Sequence, residues 1–465
     1  MKDLFSPNTN KIHLIGIGGS SMVAVAEILL DKGYILSGSD MAKNSNVKRL
    51  ESKGIPITIG HFAQSVAKAD LVIYTSAVHD DNVEIIEAKK RGIPLIKRSH
   101  FFQKLTEKYS HSVAISGAHG KSTVTAMVSV MMAESPMEPT LVVGAGVHEL
   151  DGNVRLGKGD LIVNEACEFE ASFLDFERTI SVILNIDDDH LDYYGSIDHI
   201  QDAFVEFANG TKENGFVLMN ADDPLSMEIL PRIRKKVVTF GLDNEADYRA
   251  KNHHYDHQGY LSFDIYHKKD LLGSVELSVP GIHNIQNALA ATAIVHHYHG
   301  DVKKELQTLQ KFKGAIRRFD PHGDLNGALL YDDFAHHPKE ISKTLEAARS
   351  VFPDKRIVVG FQPHTYSRTK LLFNDFLNSF KDADVVWIMD IFAAREANDP
   401  SIHSKMLVDK MTNPPASYVP TFEDLRDKMR LELKEGDVFF SVGCGDVYRI
   451  FDEFLFVDEK EAQSC

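Results

Sequence analysis

Cysteine is scarce in this chain of 465 residues: Cys167, Cys444 and Cys465 are odd in number and far apart. That excludes a disulfide framework and any spaced zinc motif. A basic surplus is missing too. The 67 acidic residues against 51 basic ones leave a net charge of −16, which argues against a nucleic-acid binder or a membrane-surface protein, since each needs a basic face. Anionic small molecules stay open, because backbone amides and a few Arg or Lys suffice to hold them. No apolar run approaches the roughly 20 residues that span a bilayer. The start, Met1-Lys2-Asp3-Leu4-Phe5, lacks the apolar core of a signal peptide. A reducing, cytoplasmic setting without membrane insertion is expected. What is present is ordinary globular composition, 43% apolar and 25% charged. At this length one core is not enough, and roughly three domains are expected.

Short apolar runs alternate with helix-like stretches, the pattern of α/β domains. Residues 12–17 read as a buried strand running into Gly16-Ile17-Gly18-Gly19-Ser20-Ser21-Met22, followed by a helix to Leu30 and a strand near Tyr34–Leu36 that ends at Asp40. A glycine turn with an acidic residue about 20 positions on is the dinucleotide-fold fingerprint, here with Ser21 in place of the third glycine. A redox cofactor, another nucleotide and a purely structural turn all fit it. Leu71–Tyr74 and Ile93–Ile96 continue the alternation and put Ser76 and Arg98 at strand exits. Ligands bind at the carboxyl ends of strands in open sheets, although a solvated Arg fits that position equally well. Residues 102–112 are polar and lead towards a second domain.

That domain opens on a phosphate-binding pattern. Val113-Ala114-Ile115 is apolar, Gly117-Ala118-His119-Gly120-Lys121-Ser122-Thr123 follows, and Val124–Met132 reads as a helix. Glycines turn backbone N–H groups towards phosphate, and the helix N-terminus adds partial positive charge. Lys121 would reach the terminal phosphates and Ser122 would ligate Mg²⁺. The usual first glycine is displaced, since Ile115 holds its place. Downstream, a strand at Leu161–Val163 delivers Asn164-Glu165-Ala166-Cys167-Glu168, and one at Ile180–Ile186 delivers Asp187-Asp188-Asp189-His190-Leu191-Asp192. Acidic and imidazole groups at strand ends beside such a loop are where magnesium is held. Val217–Met219 is a further strand, residues 247–275 read as a small β appendage, and Pro280–Asn287 opens a helix rich in Ala and Leu. After Gly314–Phe319 the βα alternation restarts. Strands at Ala328–Tyr331, Arg356–Val359, Val385–Met389 and Val438–Val442 exit into Asp332–Pro338, Phe361–Thr369, Asp390–Glu396 and Gly443–Asp446. Four exits rich in His, Asp and Arg would crowd one rim of a third sheet.

Taken in order, these motifs resemble the ATP-dependent Mur ligases of peptidoglycan synthesis. The resemblance rests on Gly16–Met22, Ser116–Thr123, Glu165–Leu174, Asp189–Asp192, His283-Asn284 with Asn287, Arg317–Phe319, Asp332–His337 and Phe361–Thr369. It implies three α/β domains: a Rossmann-like UDP-sugar-binding domain (1–105), a central P-loop-like ATP-binding domain (106–315) and a Rossmann-like C-terminal domain (316–465) that closes over ATP and receives the amino acid. The implied activity joins L-alanine to the lactyl carboxylate of UDP-N-acetylmuramate through an acyl phosphate, with ATP and Mg²⁺ or Mn²⁺, in a monomer or homodimer. A ligase that attaches a whole tripeptide to the same sugar nucleotide, and a nicotinamide-dependent dehydrogenase, are the alternatives.

Carried onto this sequence, the resemblance gives Gly117, His119, Gly120, Lys121, Ser122 and Thr123 to the ATP phosphates. Asn284 and Asn287 go to adenine, and Arg318 and Asp333 to the nucleotide from the third domain's side. Ser122 and Glu165 would ligate one metal and His190 a second. Gly16, Gly18, Gly19, Asp40, His61, Ser76 and Arg98 would hold the UDP-sugar, and His336, His364 and Arg368 the alanine and reacting acyl group, with Lys121, His190, His336 and Arg368 as the catalytic set. The chain departs from the family pattern in Ser122 for Thr, Phe334 for Tyr, Thr365 for Arg, and Cys167-Glu168 for an Asp-Glu run. Sister ligases carry a carbamylated lysine about 15 residues past the histidine; here Glu206 stands near that spacing and is expected to replace it beside the second metal.

Overall fold

The protein was analysed as a computed structural model that describes residues 4–150, 152–394 and 396–452, without the Asp192 side chain. Cys465, Arg395 and the first three residues lie outside the described residues. The chain divides into two compact units. One runs to Arg249 and includes Tyr266–Leu272 and Asn287–Thr308; the other comprises Ala250–Ile265, Gly273–Gln286 and the chain from Leu309.

The first unit holds two sheets. In the first, β1 (Lys11–Ile15), β2 (Ile35–Asp40), β3 (Ile57–Ile59), β4 (Leu71–Tyr74) and β5 (Leu95–Lys97) lie in the order β3-β2-β1-β4-β5. All pairs are parallel, and Ile15 is level with Ser39 on one side and Tyr74 on the other. The order reverses direction between β1 and β4, so the glycine turn after β1 sits at the switch point where such sheets bind ligands. β2 is longer than its apolar run because Ser37, Gly38 and Ser39 continue the ladder into the rim. The stretch 102–112, expected to be polar and connecting, begins inside a helix and ends in the strand His111–Ser116. That helix, Arg98–Thr106, buries Phe101, Phe102 and Leu105 and stacks Phe102 on Phe176 at 5.5 Å.

In the second sheet, β6 (His111–Ser116), β7 (Thr140–Val147), β8 (Gly152–Arg155), β9 (Leu161–Glu165), β10 (Ile180–Ile183), β11 (Phe216–Asn220) and β12 (Val237–Gly241) run in the order β12-β11-β10-β6-β9-β7-β8, with β8 antiparallel. Val113, Ala114 and Ile115 of β6 are fully buried, as a parallel strand covered on both faces must be. Helix Lys121–Met131 is buried all round from Val124 to Met131, as a helix that is apolar on every face must be. β10 stops at Ile183, three residues before its apolar run ends, because Asn185 leaves the ladder to serve the phosphate loop. The chain then forms β13 (Tyr248–Tyr255), β14 (Leu261–His267) and β15 (Asp270–Glu276), the expected β segment, whose residues are divided between the two units. The two parallel sheets share one apolar core, from Leu14 and Ile28 through Phe102 and Phe173 to Phe207 and Met219, and Asn153 Nδ2 donates to Ser20 O at 2.6 Å.

The second unit carries β16 (Asp320–Leu325), β17 (Ala328–Asp333), β18 (Arg356–Phe361), β19 (Val385–Ile388), β20 (Ala416–Tyr418) and β21 (Asp437–Val442) in the order β16-β17-β21-β18-β19-β20. Ile357, Val359 and Phe361 enter one core and Val358 the other, the alternation of a sheet covered on both faces. The register Asp333↔Val442↔Phe361↔Ile388 brings four exits to one rim.

Candidate functional site

β6 ends where β9 and β10 end, with Ile115 opposite Glu165 and Ser116 opposite Ile183. The loop after β6 therefore opens between two polar exits. Its shape is held from the β10 side: Ala118 N donates to Asn185 O, His119 N to Asn185 Oδ1 at 2.8 Å, and Asn185 Nδ2 to His119 O at 3.0 Å. Gly120 caps the helix with φ 85°, and a Cβ there would meet Asn287 Oδ1 at 2.8 Å. Only glycine fits, and Asn287 is thereby placed against the loop.

Lys121 lies folded into its own loop. Its Nζ donates to Gly117 O and Ala118 O and pairs with Glu168 Oε2 at 2.9 Å. Burial works against the ammonium charge, but Glu168, with Cys167 and Glu165 behind it, outweighs burial and raises the Lys121 pKa. Glu168 is itself 2% exposed and faces His190 Nε2 at 3.8 Å. His190, at φ 58°, is placed by the N–H bond from its own backbone to Asp189 Oδ1. Glu168, Asp189 and His190 each offer a ligand atom within 4.8 Å of the others, a donor set suited to a divalent cation. Next to them Ser122 Oγ donates to Glu165 Oε2 at 2.8 Å, and Gly144 N donates to the same oxygen at 2.9 Å. The Cys167 thiol is pushed up to about 11, first by burial and then by Glu168, so it stays protonated at neutral pH.

The structure thus brings together Lys121, Ser122, Glu165 and His190, and adds Glu168, which the sequence reading passed over as part of a departure from pattern. Its signal was the strand exit it shares with Glu165. Glu206 is corrected. It is exposed on the helix Ile197–Asn209, where its charge acts on Arg178. A helix rises about 1.5 Å per residue, and Glu206 lies nine residues into this one, far from the end nearest His190.

On the first sheet, Asp40 Oδ2 accepts from Gly18 N at 2.8 Å and Oδ1 from Ala42 N. The carboxylate that would bind a ribose in a dehydrogenase fastens the glycine turn instead. His61 Nδ1 lies 3.0 Å from Glu84 Oε2 and 3.1 Å from Ser39 Oγ. Ser76 and Arg98 line one cavity of about 230 Å³ together with Lys97, Glu170, Ser172 and Asp175. A smaller cavity of about 40 Å³ shares Arg98 and Ser172 and reaches Gly144, Glu165 and Cys167. Arg98 and Ser172 thus line both cavities, and the smaller one reaches the Glu165 carboxylate. Glu170 and Ala171, between them, hold positive φ of 53° and 54°, a strained turn of the kind found at ligand clamps.

In the second unit, His336, His364 and Arg368 are neighbours. The two rings lie 6.1 Å apart, and Arg368 NH1 is 3.2 Å from His364 Nδ1. His336 Nδ1 is held 3.2 Å from Glu340, which also faces Arg318 at 3.8 Å. Asp333 is buried, and its oxygens accept from Phe319 N, Ala335 N and Thr344 Oγ1; burial raises its pKa. It organises the loops that carry Arg318 and His336. Arg317 is consumed structurally, by Asp332, Gly443 O and the Tyr448 ring. Asn284 Nδ2 donates to Pro280 O.

Comparison with known proteins agrees with this geometry. Residues 11–110 match the model of the Mur ligase family catalytic domain, 115–295 the Mur ligase middle domain and 317–445 the Mur ligase glutamate ligase domain. The chain belongs to the Mur ligase family. It is 43% identical over 452 residues to the UDP-N-acetylmuramate–L-alanine ligase of Caldanaerobacter subterraneus subsp. tengcongensis, covering 97% of this chain and 98% of that one. The ligase of the same name from Clostridium acetobutylicum is also 43% identical, over 97% and 99% of the two chains. Among solved structures, the UDP-N-acetylmuramate–alanine ligase of Thermotoga maritima superposes with a TM-score of 0.83 at 30% identity, covering 97% and 99%. A murein peptide ligase of Psychrobacter arcticus, at TM-score 0.75 and 22% identity, shares the fold.

Proposed function

We propose that this chain is an ATP-dependent carboxylate–amine ligase that joins L-alanine to the lactyl carboxylate of UDP-N-acetylmuramate, releasing ADP and phosphate for peptidoglycan precursor synthesis. One observation carries the reading: the buried Lys121–Glu168–His190 chain at the end of β6, beside Glu165, whose charge also acts on Lys121 and which lines a cavity with Arg98. Phosphoryl transfer to a carboxylate requires a phosphate-binding lysine and a carboxylate site side by side, and this arrangement fits that need.

The proposed sequence follows from reactivity. A carboxylate is a poor electrophile, so one of its oxygens first attacks the γ-phosphate, giving an acyl phosphate and ADP. The free amine of alanine then attacks the acyl carbon, loses a proton, and expels phosphate. Lys121 and the loop amides hold the phosphates and offset the repulsion between carboxylate and polyphosphate. The donor sets Ser122–Glu165 and Glu168–Asp189–His190 fit Mg²⁺ or Mn²⁺, which would neutralise charge between phosphates and carboxylate. His336, His364 and Arg368 present a cationic, aromatic rim for the amino acid. We assign UDP-sugar binding to 1–105, ATP binding to 106–315 and amino-acid binding to 316–465, in a cytoplasmic enzyme. Among the described residues no helix is long and apolar enough to cross a membrane, which is compatible with that assignment.

Phosphate release with UDP-N-acetylmuramate and ATP tests the reading. Release should depend on L-alanine. A requirement for tripeptide in place of alanine would reassign the chain to a recycling reaction, and no acceptor-dependent release at all would overturn it.

A further inference from the structure

The exits after β19 and β21 carry no residue that the proposed reaction uses, yet both close on the loop that holds His364. Phe392 follows β19. Its backbone prolongs the pairing with β18 beyond the last regular pair, Phe361 with Ile388. His364 and Phe392 form an isolated parallel bridge, in which Thr365 N donates to Phe392 O at 2.9 Å and Phe392 N to Pro363 O at 2.8 Å. The Phe392 ring stacks on the His364 imidazole, with centroids 5.7 Å apart and planes 22° from parallel.

The turn after β21 stands against the same ring. A Cβ on Gly445 would fall 2.9 Å from Phe392 Cγ, so the turn approaches this closely only because glycine has no side chain. Gln362, which is buried, ties that turn to the His364 loop. Its Oε1 accepts from Asp446 N and Val447 N, both at 3.1 Å, and its Nε2 donates to Asp446 Oδ1 at 2.9 Å. Three strand exits therefore meet at Phe392.

The His364 loop needs this support for two reasons. Thr365 sits at φ 66° and ψ 143°, a strained conformation for an L-residue that persists only where its surroundings over-determine it. The bridge to Phe392 pins its N–H. The imidazole, moreover, turns about a terminal sp³–sp² torsion whose wells are broad. Arg368 holds one edge of the ring, with Nη1 3.2 Å from Nδ1; a guanidinium only donates, so Nδ1 accepts. One hydrogen bond at an edge still lets the ring tilt. The face of Phe392 removes that freedom.

We propose that Phe392 is a positioning residue for the amino-acid site: its ring sets the plane of the His364 imidazole, and thereby the direction from which His364 and Arg368 meet L-alanine. This rests on the reading that His364 and Arg368 receive the amino acid. The test uses the full chain and acceptor-dependent phosphate release. Phe392→Leu and Phe392→Met keep an apolar contact and the backbone bridge but lose the planar face. Each should raise KM for L-alanine about fivefold, the worth of an aromatic contact of this kind, with KM for ATP and for UDP-N-acetylmuramate within about twofold. Phe392→Tyr keeps the ring and should keep the parent KM.

The double variant separates positioning from packing. In a His364→Ala background Phe392→Leu has no ring left to position, so it should change KM for L-alanine by less than about 1.5-fold. An effect of the same size with and without His364 overturns the proposal. So do folded Leu and Met variants with the parent KM, where His364→Ala raises it. In the unaltered chain, NMR should show nuclear Overhauser contacts between the two rings; their absence overturns the proposal whether or not the variants fold. If His364→Ala itself leaves KM for L-alanine unchanged, the reading of the amino-acid site fails, and the proposal falls with it.

Discussion

Replacing Glu168 by Gln removes the carboxylate that faces both Lys121 and His190, and its effects can be worked from the geometry. Lys121 and Glu168 side chains are 12% and 3% exposed, with Nζ 2.9 Å from Oε2. Breaking a pair this buried leaves an uncompensated ammonium, a loss of about 3 kcal/mol. At about 2 °C per kcal/mol for a unit of this size, the first unit should melt about 6 °C lower. Two loop carbonyls still bind Nζ, so the unit should stay folded. The decisive reading is nucleotide dependence. ATP phosphates give Lys121 an anionic partner in place of Glu168, so ADP or ATP should stabilise the variant more than the unaltered chain. Turnover should meanwhile fall by about a hundredfold or more, because His190 and Asp189 lose the third member of their donor set. Thermal shift with and without nucleotide, paired with phosphate release, measures both. A variant that melts within about 1 °C of the parent, or keeps full turnover, would refute the ion-pair argument and the metal assignment respectively.

Gly144→Ala should act through Glu165 alone: its Cβ would fall 2.2 Å from Glu165 Oε2, the carboxylate must shift by almost 1 Å, and turnover should drop about a hundredfold while ATP binding survives. Cys167, with a thiol at about 11 rather than 9.0, should be about 1% thiolate at pH 9 where a free thiol is half ionised, so iodoacetamide should label it about fiftyfold more slowly than a model thiol. The same raised pKa makes its contribution to stability full below pH 9 and lost between 9 and 11, visible as a lower melting temperature over that window. Glu206→Gln should leave turnover within about twofold and stability within ~0.5 kcal/mol, as exposed substitutions do; a large loss of activity would return Glu206 to the metal site.

The sheets were legible in the chain because a parallel strand buried on both faces must read as a short apolar run, and Val113–Ile115, Leu71–Tyr74 and Val438–Val442 do. Strand exits followed for the same reason, which is why Lys121, Ser122, Glu165, His190, Ser76 and Arg98 were found where the structure puts them. Errors arose where periodicity stops carrying information. β10 ends early at Ile183 because Asn185 turns to bind the phosphate loop, and an apolar Leu-Asn-Ile segment gives no sign of that. Residues 102–112 read as polar because of the charges of Lys104, Glu107 and Lys108, whereas Phe102 and Leu105 are buried on their helix and Phe102 packs on Phe176. Glu206 failed for a geometric reason: counting residues from His190 ignores that the intervening helix carries it away at about 1.5 Å per residue.

Glu84 and Glu168 share a deeper difficulty. Each is a buried carboxylate whose meaning lies in partners distant in sequence, His61 and Ser39 for one and Lys121 and His190 for the other. A lone Glu in a chain with 67 acidic residues is read as solvated until the fold removes water from around it. Once water is gone, the charge persists only if donors are supplied, and those donors are then oriented by it. Glu84 fixes a ring and Glu168 folds a lysine back into its loop. On the proposed reading, a bound polyphosphate would compete with Glu168 for the Lys121 ammonium. That reading makes the loop after β6 an exchange site: its lysine keeps an anionic partner throughout, and nucleotide binding would replace the carboxylate with phosphate.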